Sequence, residues 1–180
     1  MESILIVPIL PFDEQLVDQL PLNLIPIFKR SVSIETGSPV DPSFAFDPSR
    51  NQFNSSMLLS HLLKKYEGNP DRKVLGVSVV DLFIPVLTFV FGEAQLGGQS
   101  AVVSTYRLDE SIYGLPENIS LLSERSTKEA VHELGHTFGV YHCHDFDCVM
   151  HSSTVVEEID LKKEAFCPRC QKLLDQTAVL

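Results

Sequence analysis

Residues 131–142, VHELGHTFGVYH in one-letter code, constrain this chain more than any other feature. His132 and His136 are four residues apart, so on an α-helix both imidazoles project from the same face. That spacing lets two ring nitrogens reach one metal ion at about 2.0–2.1 Å. Glu133 lies one residue round the helix, where its carboxylate can polarise a metal-bound water without binding the metal. The pattern therefore predicts a metal-binding helix.

A third metal ligand is predicted just beyond the end of this helix. Gly139 stands where a left-handed residue commonly stops a helix, and His142 follows three residues later. Three protein ligands leave one position for water, which is the arrangement of a catalytic zinc site. The helix is predicted over about residues 127–138, because Ser126 and Glu129 have the spacing of a capping box.

The same residues resemble the metzincin metallopeptidases, whose pattern is H-E-x-x-H-x-x-G-x-x-H. The five fixed positions are filled by His132, Glu133, His136, Gly139 and His142. A surface helix with incidental histidines would explain neither the glycine nor the third histidine. Metzincins also have a methionine in a tight turn below the metal, and Met150 follows in the expected order. The resemblance implies that Met150 is a hydrophobic floor for the imidazoles and not a ligand.

All four cysteines of the chain follow the helix. They are Cys143, Cys148, Cys167 and Cys170, spaced as C-x4-C and C-x2-C. Two such pairs can converge on one tetrahedral zinc with no open position, so the predicted site is structural. His142 and Cys143 are adjacent, but an extended segment points successive side chains to opposite sides, so they can serve different metals. A short helix is predicted over about residues 171–174.

Three alternatives for the cysteines stay open. Cys167 and Cys170 could form a redox dithiol at a helix N-terminus, where the dipole lowers a thiol pKa. All four cysteines could be inert buried thiols. The assignment could also be shifted, with Cys143 on the catalytic metal and His144 or His151 completing the other site. The sequence does not decide whether these two histidines bind metal, support its ligands or face the substrate.

The helix motif followed by C-x4-C-x-M and later by C-x2-C is similar to the archaemetzincins, over residues 132–170. The resemblance implies an α/β fold with a twisted sheet of about five strands and a zinc cleft. It implies one domain over residues 1–180, with an upper part (1–138) that includes the active-site helix and a lower zinc-stabilised part (139–180). It also implies two zinc ions, the catalytic one on His132, His136 and His142 and the structural one on the four cysteines.

Upstream of the motif, apolar runs alternate with amphipathic segments. Strands are predicted over residues 4–10, 26–34, 74–80, 88–91 and 101–106, and helices over 12–20 and 51–66. This order favours a mixed, mostly parallel sheet with helices packed on it. By resemblance to metzincins, we expect residues 88–96 to include the edge strand on which an extended substrate pairs.

The charge balance excludes several classes of protein. The chain has 24 acidic and 14 basic residues, a net charge of −10, whereas a nucleic-acid binder needs a basic surface. The same negative charge disfavours docking on a membrane surface of anionic lipid. The most apolar stretch, residues 74–92, contains Asp81 and Pro85, so it predicts strands and not a membrane span. No positively charged segment precedes the first apolar run, so a secretory signal is not expected and we predict a cytoplasmic protein. In that compartment the cysteines are not expected to form disulfides. The oligomeric state is taken to be a monomer by default.

The sequence thus predicts a zinc-dependent metallopeptidase that hydrolyses peptide bonds in peptide or protein substrates. In this mechanism a zinc-activated water attacks the peptide carbonyl, and Glu133 acts as general base and then protonates the leaving amine. One alternative is a peptide- or protein-binding module of metzincin fold with negligible turnover, stabilised by the structural zinc. Another is a thiol-redox or zinc-responsive regulator built round the cysteines. Endopeptidase and aminopeptidase activity are not distinguished.

Overall fold

The computed structural model describes residues 3–69 and 71–177, which form eight strands. They are β1 (Ser3–Pro8), β2 (Ser31–Ile34), β3 (Phe46–Asp47), β4 (Gln52–Asn54), β5 (Arg72–Ser78), β6 (Leu82–Phe83), β7 (Gly92–Ala94) and β8 (Ser100–Ser104). The main sheet has the order β2-β1-β5-β8-β7, in which β7 is the antiparallel edge strand and the others are parallel. A second sheet has the order β3-β4-β6. The predicted fold class, a mixed sheet of about five strands, is confirmed.

Helices cover both faces of the main sheet. The α-helices are α1 (Glu14–Phe28), α2 (Ser55–Tyr66), α3 (Ile119–Thr137), α4 (Val156–Leu161) and α5 (Pro168–Thr177). Ile4 and Ile6 of β1 belong to the core that includes α1 and α3, whereas Leu5 and Val7 belong to the core that includes α2. This division follows from the alternation of side chains along a strand. No helix among the described residues is long and apolar enough to cross a membrane.

One hydrophobic core joins the predicted upper and lower parts of the chain. Ile6 and Phe138 from the upper part share it with Met150, Cys170 and Leu174 from the lower part. The division at residue 138 stays a prediction. Residues 1–2, 70 and 178–180 of the predicted domain lie outside the described residues.

Helix α1 is longer than predicted. We expected a helix over residues 12–20 and a strand from residue 26, but the helix continues past Pro21 and Pro26 to Phe28. Leu24 and Phe28 are buried in the core four residues apart, which is a helical spacing. A proline in a helix interior costs about 3 kcal/mol, so tertiary packing has outweighed local propensity here. The strand predicted over residues 26–34 is consequently confined to β2, residues 31–34.

The strand predicted over residues 88–91 is wrong, since β7 begins only at Gly92. The carbonyl oxygens of Leu87 and Thr88 accept hydrogen bonds from the Arg50 guanidinium at 2.7 and 3.1 Å. Side chains thus bond the backbone at the start of this segment, whereas Val90 forms an isolated antiparallel bridge with Leu82 and the Phe91 carbonyl accepts from the Ser104 N–H at 2.8 Å. The other predicted strands match β1, β5 and β8 within a few residues, and helices α2 and α5 occur near their predicted positions.

Helix α3 begins eight residues earlier than predicted. Asn118 Oδ1 accepts a hydrogen bond of 3.1 Å from the Leu121 N–H and caps the helix. The predicted capping box is wrong, because Ser126 Oγ lies inside the helix and donates to the Leu122 carbonyl at 2.6 Å. Hydroxyl side chains commonly make this bond within helices, so the spacing alone does not mark a start. The chain leaves the helix at Gly139 with φ 80°, as predicted.

Candidate active site

Helix α3 and the turn after it bring three histidines together. The Gly139 N–H donates to the His136 carbonyl at 2.9 Å, and the Val140 N–H donates to the Gly135 carbonyl at 3.0 Å. This closure of the helix turns the chain so that His142 returns towards α3. One ligand atom from each of His132, His136 and His142 lies within 4.8 Å of the others. The sequence-predicted histidines therefore form one cluster.

Backbone carbonyls orient two of these rings. His132 Nδ1 is 2.8 Å from the Val149 oxygen, and His136 Nδ1 is 2.8 Å from the Val140 oxygen. A carbonyl can only accept, so each Nδ1 carries the proton and each Nε2 offers its lone pair. The two Nε2 atoms are 3.1 Å apart. Tetrahedral ligands of zinc at about 2.0–2.1 Å lie about 3.4 Å apart, so the donor set fits zinc.

The surroundings of the three histidines favour the neutral form, which is the form that binds metal. Burial lowers the pKa of His132 well below its usual value, and the nearby Lys162 ammonium adds to this effect. Burial also lowers the pKa of His136 and of His142. Because a protonated imidazole cannot bind a cation, this environment favours occupation by a metal ion.

The Glu133 carboxylate is buried beside the histidine cluster. Burial raises its pKa well above the usual value, and the negative charge of Glu129 one helical turn away raises it further. Gly92 of the edge strand makes room for this side chain, since a Cβ there would lie 2.6 Å from Glu133 Cγ. The carboxylate is thus confined between α3 and the edge of the main sheet.

A cavity of about 330 Å³ opens onto these groups. Residues 87–92 and 152–154 line it, together with Glu129, His132, Glu133 and His142. The segment 87–92 includes Phe89 and Phe91, so this part of the lining is apolar. The cavity places a bound molecule against both the histidine cluster and the buried carboxylate.

Met150 lies in a tight turn that packs against helix α3. The His151 N–H donates to the Cys148 carbonyl at 2.9 Å, and the Cys143 N–H donates to the Met150 carbonyl at 2.9 Å. The methionine is fully buried and contacts the helix at Gly135, between the first two histidines. Its role as a hydrophobic floor for the imidazoles stays a prediction.

The four cysteines form a second cluster, with their sulfur atoms within 4.8 Å of one another. Cys143 Sγ is 3.8 Å from Cys167 Sγ, too far for a disulfide. Thiolates bound tetrahedrally to zinc at about 2.3 Å lie about 3.8 Å apart, so this donor set also fits zinc. The structure groups Cys143 with the other cysteines and not with the histidines.

Hydrogen bonds favour the thiolate form in part of this cluster. Partial burial alone would raise the pKa of Cys167, but bonds from the Cys170 backbone N–H and from the neighbouring thiols lower it to about 7. The Cys167 N–H also donates to Cys148 Sγ at 3.2 Å, and Arg169 donates to Cys143 Sγ at 3.4 Å. Thiolate is the form that binds metal.

The two remaining histidines of the lower part lie outside both clusters. His151 Nδ1 is 2.9 Å from the Cys143 carbonyl, and its ring packs against Phe146 with centroids 4.5 Å apart. His144 is exposed. Among the described residues neither belongs to a group with metal-ligand geometry.

Sequence analysis missed a buried ion pair behind the cavity. Lys162 Nζ donates to Glu129 Oε1 at 3.0 Å and to the His151 carbonyl at 3.1 Å, and the two side chains are 1% and 5% exposed. Glu129 is four residues before Glu133, so helical periodicity could have placed it on the cleft side of α3. No sequence signal pairs it with Lys162, which follows α4.

A histidine cluster beside a buried carboxylate in one cleft is the arrangement found in the class of zinc-dependent metallopeptidases. Residues 42–176 match peptidase family M54. The archaemetzincin of Thermococcus kodakarensis is 38% identical, over 97% of this chain and 96% of its own. The archaemetzincin of Methanocaldococcus jannaschii is 41% identical, over 77% of this chain and 74% of its own. A crystal structure of archaemetzincin from Archaeoglobus fulgidus, complexed with malonate, has 36% identity and a TM-score of 0.81, over 95% of this chain and 99% of that one. The chain belongs to peptidase family M54, the archaemetzincins.

Proposed function

We propose that His132, His136 and His142 hold the catalytic zinc and that Glu133 is the general base for peptide-bond hydrolysis. The observation that carries this proposal is the convergence of three ring nitrogens beside a buried carboxylate in one cavity. When bound, zinc would lower the pKa of a water molecule and polarise the peptide carbonyl. The substrates are peptides or proteins, as for the peptidase family as a whole.

Glu133 handles the proton in this reaction. Its carboxylate accepts a proton from the attacking water and passes it to the nitrogen of the leaving amine. The pKa of Glu133 is raised by burial, which suits a group that must hold a proton between the two transfers. The Val149 and Val140 carbonyls keep the protons of His132 and His136 on Nδ1, so both rings stay oriented throughout.

An extended substrate would lie along strand β7. This strand is the edge of the main sheet, so its outer side is available for backbone hydrogen bonds. Its first residue, Gly92, touches Glu133, which brings a paired peptide close to the proposed base. The segment predicted for this role is residues 88–96, of which residues 92–94 form strand β7.

The four cysteines would hold a second, structural zinc. They complete a tetrahedral donor set with no open position, so this ion would stabilise the lower part and take no part in the reaction. Met150 would act as a hydrophobic floor below the ligand imidazoles. Free thiols serving as zinc ligands also support a cytoplasmic location.

The test compares zinc-loaded wild-type protein with Glu133→Ala and Glu133→Gln on a peptide library, with products identified by mass spectrometry. Removing the base should lower the rate by about 10²–10⁴-fold while zinc content stays at two ions per chain. Glu117→Ala, an exposed glutamate before the same helix, is the control.

Each outcome has a distinct meaning. Cleavage that is lost only in the Glu133 variants supports the proposal, and the product ends distinguish trimming from internal cutting. Equal cleavage by all variants contradicts the role of Glu133. Absence of cleavage with two zinc ions bound would instead favour a peptide-binding module.

A further inference from the structure

Phe89 stands in the apolar wall of the cavity beside the histidine cluster. Thr88 and Phe91 line the same cavity, whereas Asp81 and Arg107 do not. We propose that Arg107, oriented by Asp81, is a positioning residue that holds the Phe89 ring in this wall and so strengthens substrate binding. This inference rests on the proposed peptidase function of the same site.

The Asp81 carboxylate fixes the orientation of the Arg107 guanidinium. Arg107 Nε donates to Asp81 Oδ1 at 2.7 Å and Arg107 Nη2 donates to Asp81 Oδ2 at 2.5 Å, so the pair is bidentate. Two parallel bonds to a planar guanidinium add geometric specificity that a single bond lacks. Both side chains are largely shielded from solvent, with 28% of Arg107 and 13% of Asp81 exposed, so salt screens this pair less than one at the surface.

The oriented guanidinium stacks on the Phe89 ring. The Arg107 Cζ atom lies 4.4 Å from the ring centroid, within the range in which a cation is attracted to an aromatic face. Phe91 packs against the same ring edge-to-face, with centroids 5.4 Å apart and planes at 74°. The ring thus has a fixed cation and a second aromatic ring as neighbours. A lysine would not reproduce this arrangement fully, because an ammonium lacks the planar fork that pairs with the carboxylate.

The same carboxylate also bonds the residue that secures the Thr88 backbone. Gln52 Nε2 donates to Asp81 Oδ2 at 3.0 Å and to the Thr88 carbonyl at 2.9 Å. Thr88 and Phe89 precede β7, and no strand among the described residues includes them. Asp81 therefore reaches this part of the wall twice, through the backbone of Thr88 and through the ring of Phe89.

This placement predicts an effect on binding and not on the chemical step. Arg107 and Asp81 lie outside both the histidine cluster and the cavity lining, so neither touches the reacting atoms. A change that alters only the wall removes binding that substrate and transition state share, which raises KM and leaves kcat unchanged. An ion pair that served only stability would leave KM unchanged in the folded protein.

The test is a double-variant cycle on Arg107 and Phe89. The probe is a fluorescent peptide hydroxamate with a leucine side chain, whose hydroxamate binds zinc and whose side chain can enter the cavity. Its dissociation constant is measured by fluorescence anisotropy with each zinc-loaded protein. We expect Arg107→Met to raise this constant about fivefold and Phe89→Ala about tenfold. The double variant should bind no more weakly than Phe89→Ala, because the arginine acts only through that ring.

Two further variants separate positioning from general stability. Arg30→Met removes a guanidinium that lies 4.4 Å from the Phe138 ring centroid, outside the cavity lining, and should leave the dissociation constant unchanged. Arg107→Lys keeps a cation for Asp81 and should raise the constant only about twofold. It replaces Arg107→Met in the cycle if that variant fails to fold. Zinc content and urea denaturation show whether each protein is folded.

Steady-state cleavage of a library peptide gives a second measurement. In Arg107→Met we expect KM to rise about fivefold with kcat unchanged. If the hydroxamate results hold but wild-type protein cleaves no peptide, the positioning role stands and the peptidase proposal fails. Four results would overturn the inference: an unchanged dissociation constant in Arg107→Met, additive effects in the double variant, an equal loss in Arg30→Met, or no binding of the hydroxamate by wild-type protein.

Discussion

Met150 and Gly135 are in direct contact, so closely that a Cβ atom at Gly135 would lie 2.5 Å from the methionine sulfur. Gly135 stands on α3 between His132 and His136. Because Gly135 has no side chain, the turn at Met150 can approach closely the helix that carries these two histidines. Position 135 does not belong to the fixed metzincin pattern, yet a side chain there would have to displace the buried Met150.

Replacing this glycine should weaken both folding and metal binding. Gly135→Ala would force Met150 away from the helix, and overpacking of this kind costs about 1–3 kcal/mol. The free energy of unfolding, measured by urea denaturation, and the zinc affinity, measured by chelator competition, should both fall. Gly68→Ala is the control, because a Cβ there has no neighbour within 4 Å. An unchanged or raised stability of Gly135→Ala would contradict the packing argument.

Gly92→Ala should impair the reaction more than zinc binding. The added Cβ would lie 2.6 Å from Glu133 Cγ and 2.7 Å from the Val102 carbonyl oxygen, so the carboxylate must move. A displacement of about 1 Å in a catalytic group can lower the rate by about 10²-fold. The measurement is kcat/KM together with zinc content. Full activity of Gly92→Ala with two zinc ions bound would show that the position of Glu133 does not depend on its close contact with Gly92.

Lys162→Met should destabilise the protein strongly. The substitution leaves Glu129 buried without its cationic partner, and breaking a buried pair costs about 3–5 kcal/mol. The double variant with Glu129→Leu should recover much of this loss, since no unpaired charge remains. Urea denaturation measures both. Lys163→Met is the control, because Lys163 pairs with Asp147 at the surface, where a pair contributes about 0–1 kcal/mol. Equal effects of the two lysine variants would refute the burial argument.

The cysteine cluster should hold one zinc and also support the histidine site. In zinc-loaded protein we expect all four thiols to be unreactive until a chelator is added. Cys167→Ser should lower the zinc content from two to about one and weaken the remaining site. We expect the histidine site to weaken because Cys143 also holds the turn at Met150. Its N–H donates to the Met150 carbonyl, and its carbonyl is bonded to the His151 ring.

Elemental analysis and thiol titration measure these changes. His144→Ala serves as the control, because His144 is exposed and outside both clusters, so two zinc ions should remain. Rapid reaction of the four thiols in zinc-loaded protein would instead favour the thiol-redox alternative.

The sequence by itself determined the local geometry of the site. A helix has a constant period, so the spacing of His132 and His136 already places both on one face. The turn at Gly139 and the convergence of the cysteine pairs also depend on short separations along the chain. These features are the ones that the structure brings together as predicted, although the ligand roles stay proposals.

Only the tertiary structure decided contacts between elements far apart in the chain. Lys162 meets Glu129 from a separate segment, and Gly92 meets Glu133 across the edge of the sheet. The same is true of α1, which continues past two prolines because its far end is buried. Such contacts depend on how the core packs in three dimensions, and spacing along one element carries no information about that packing.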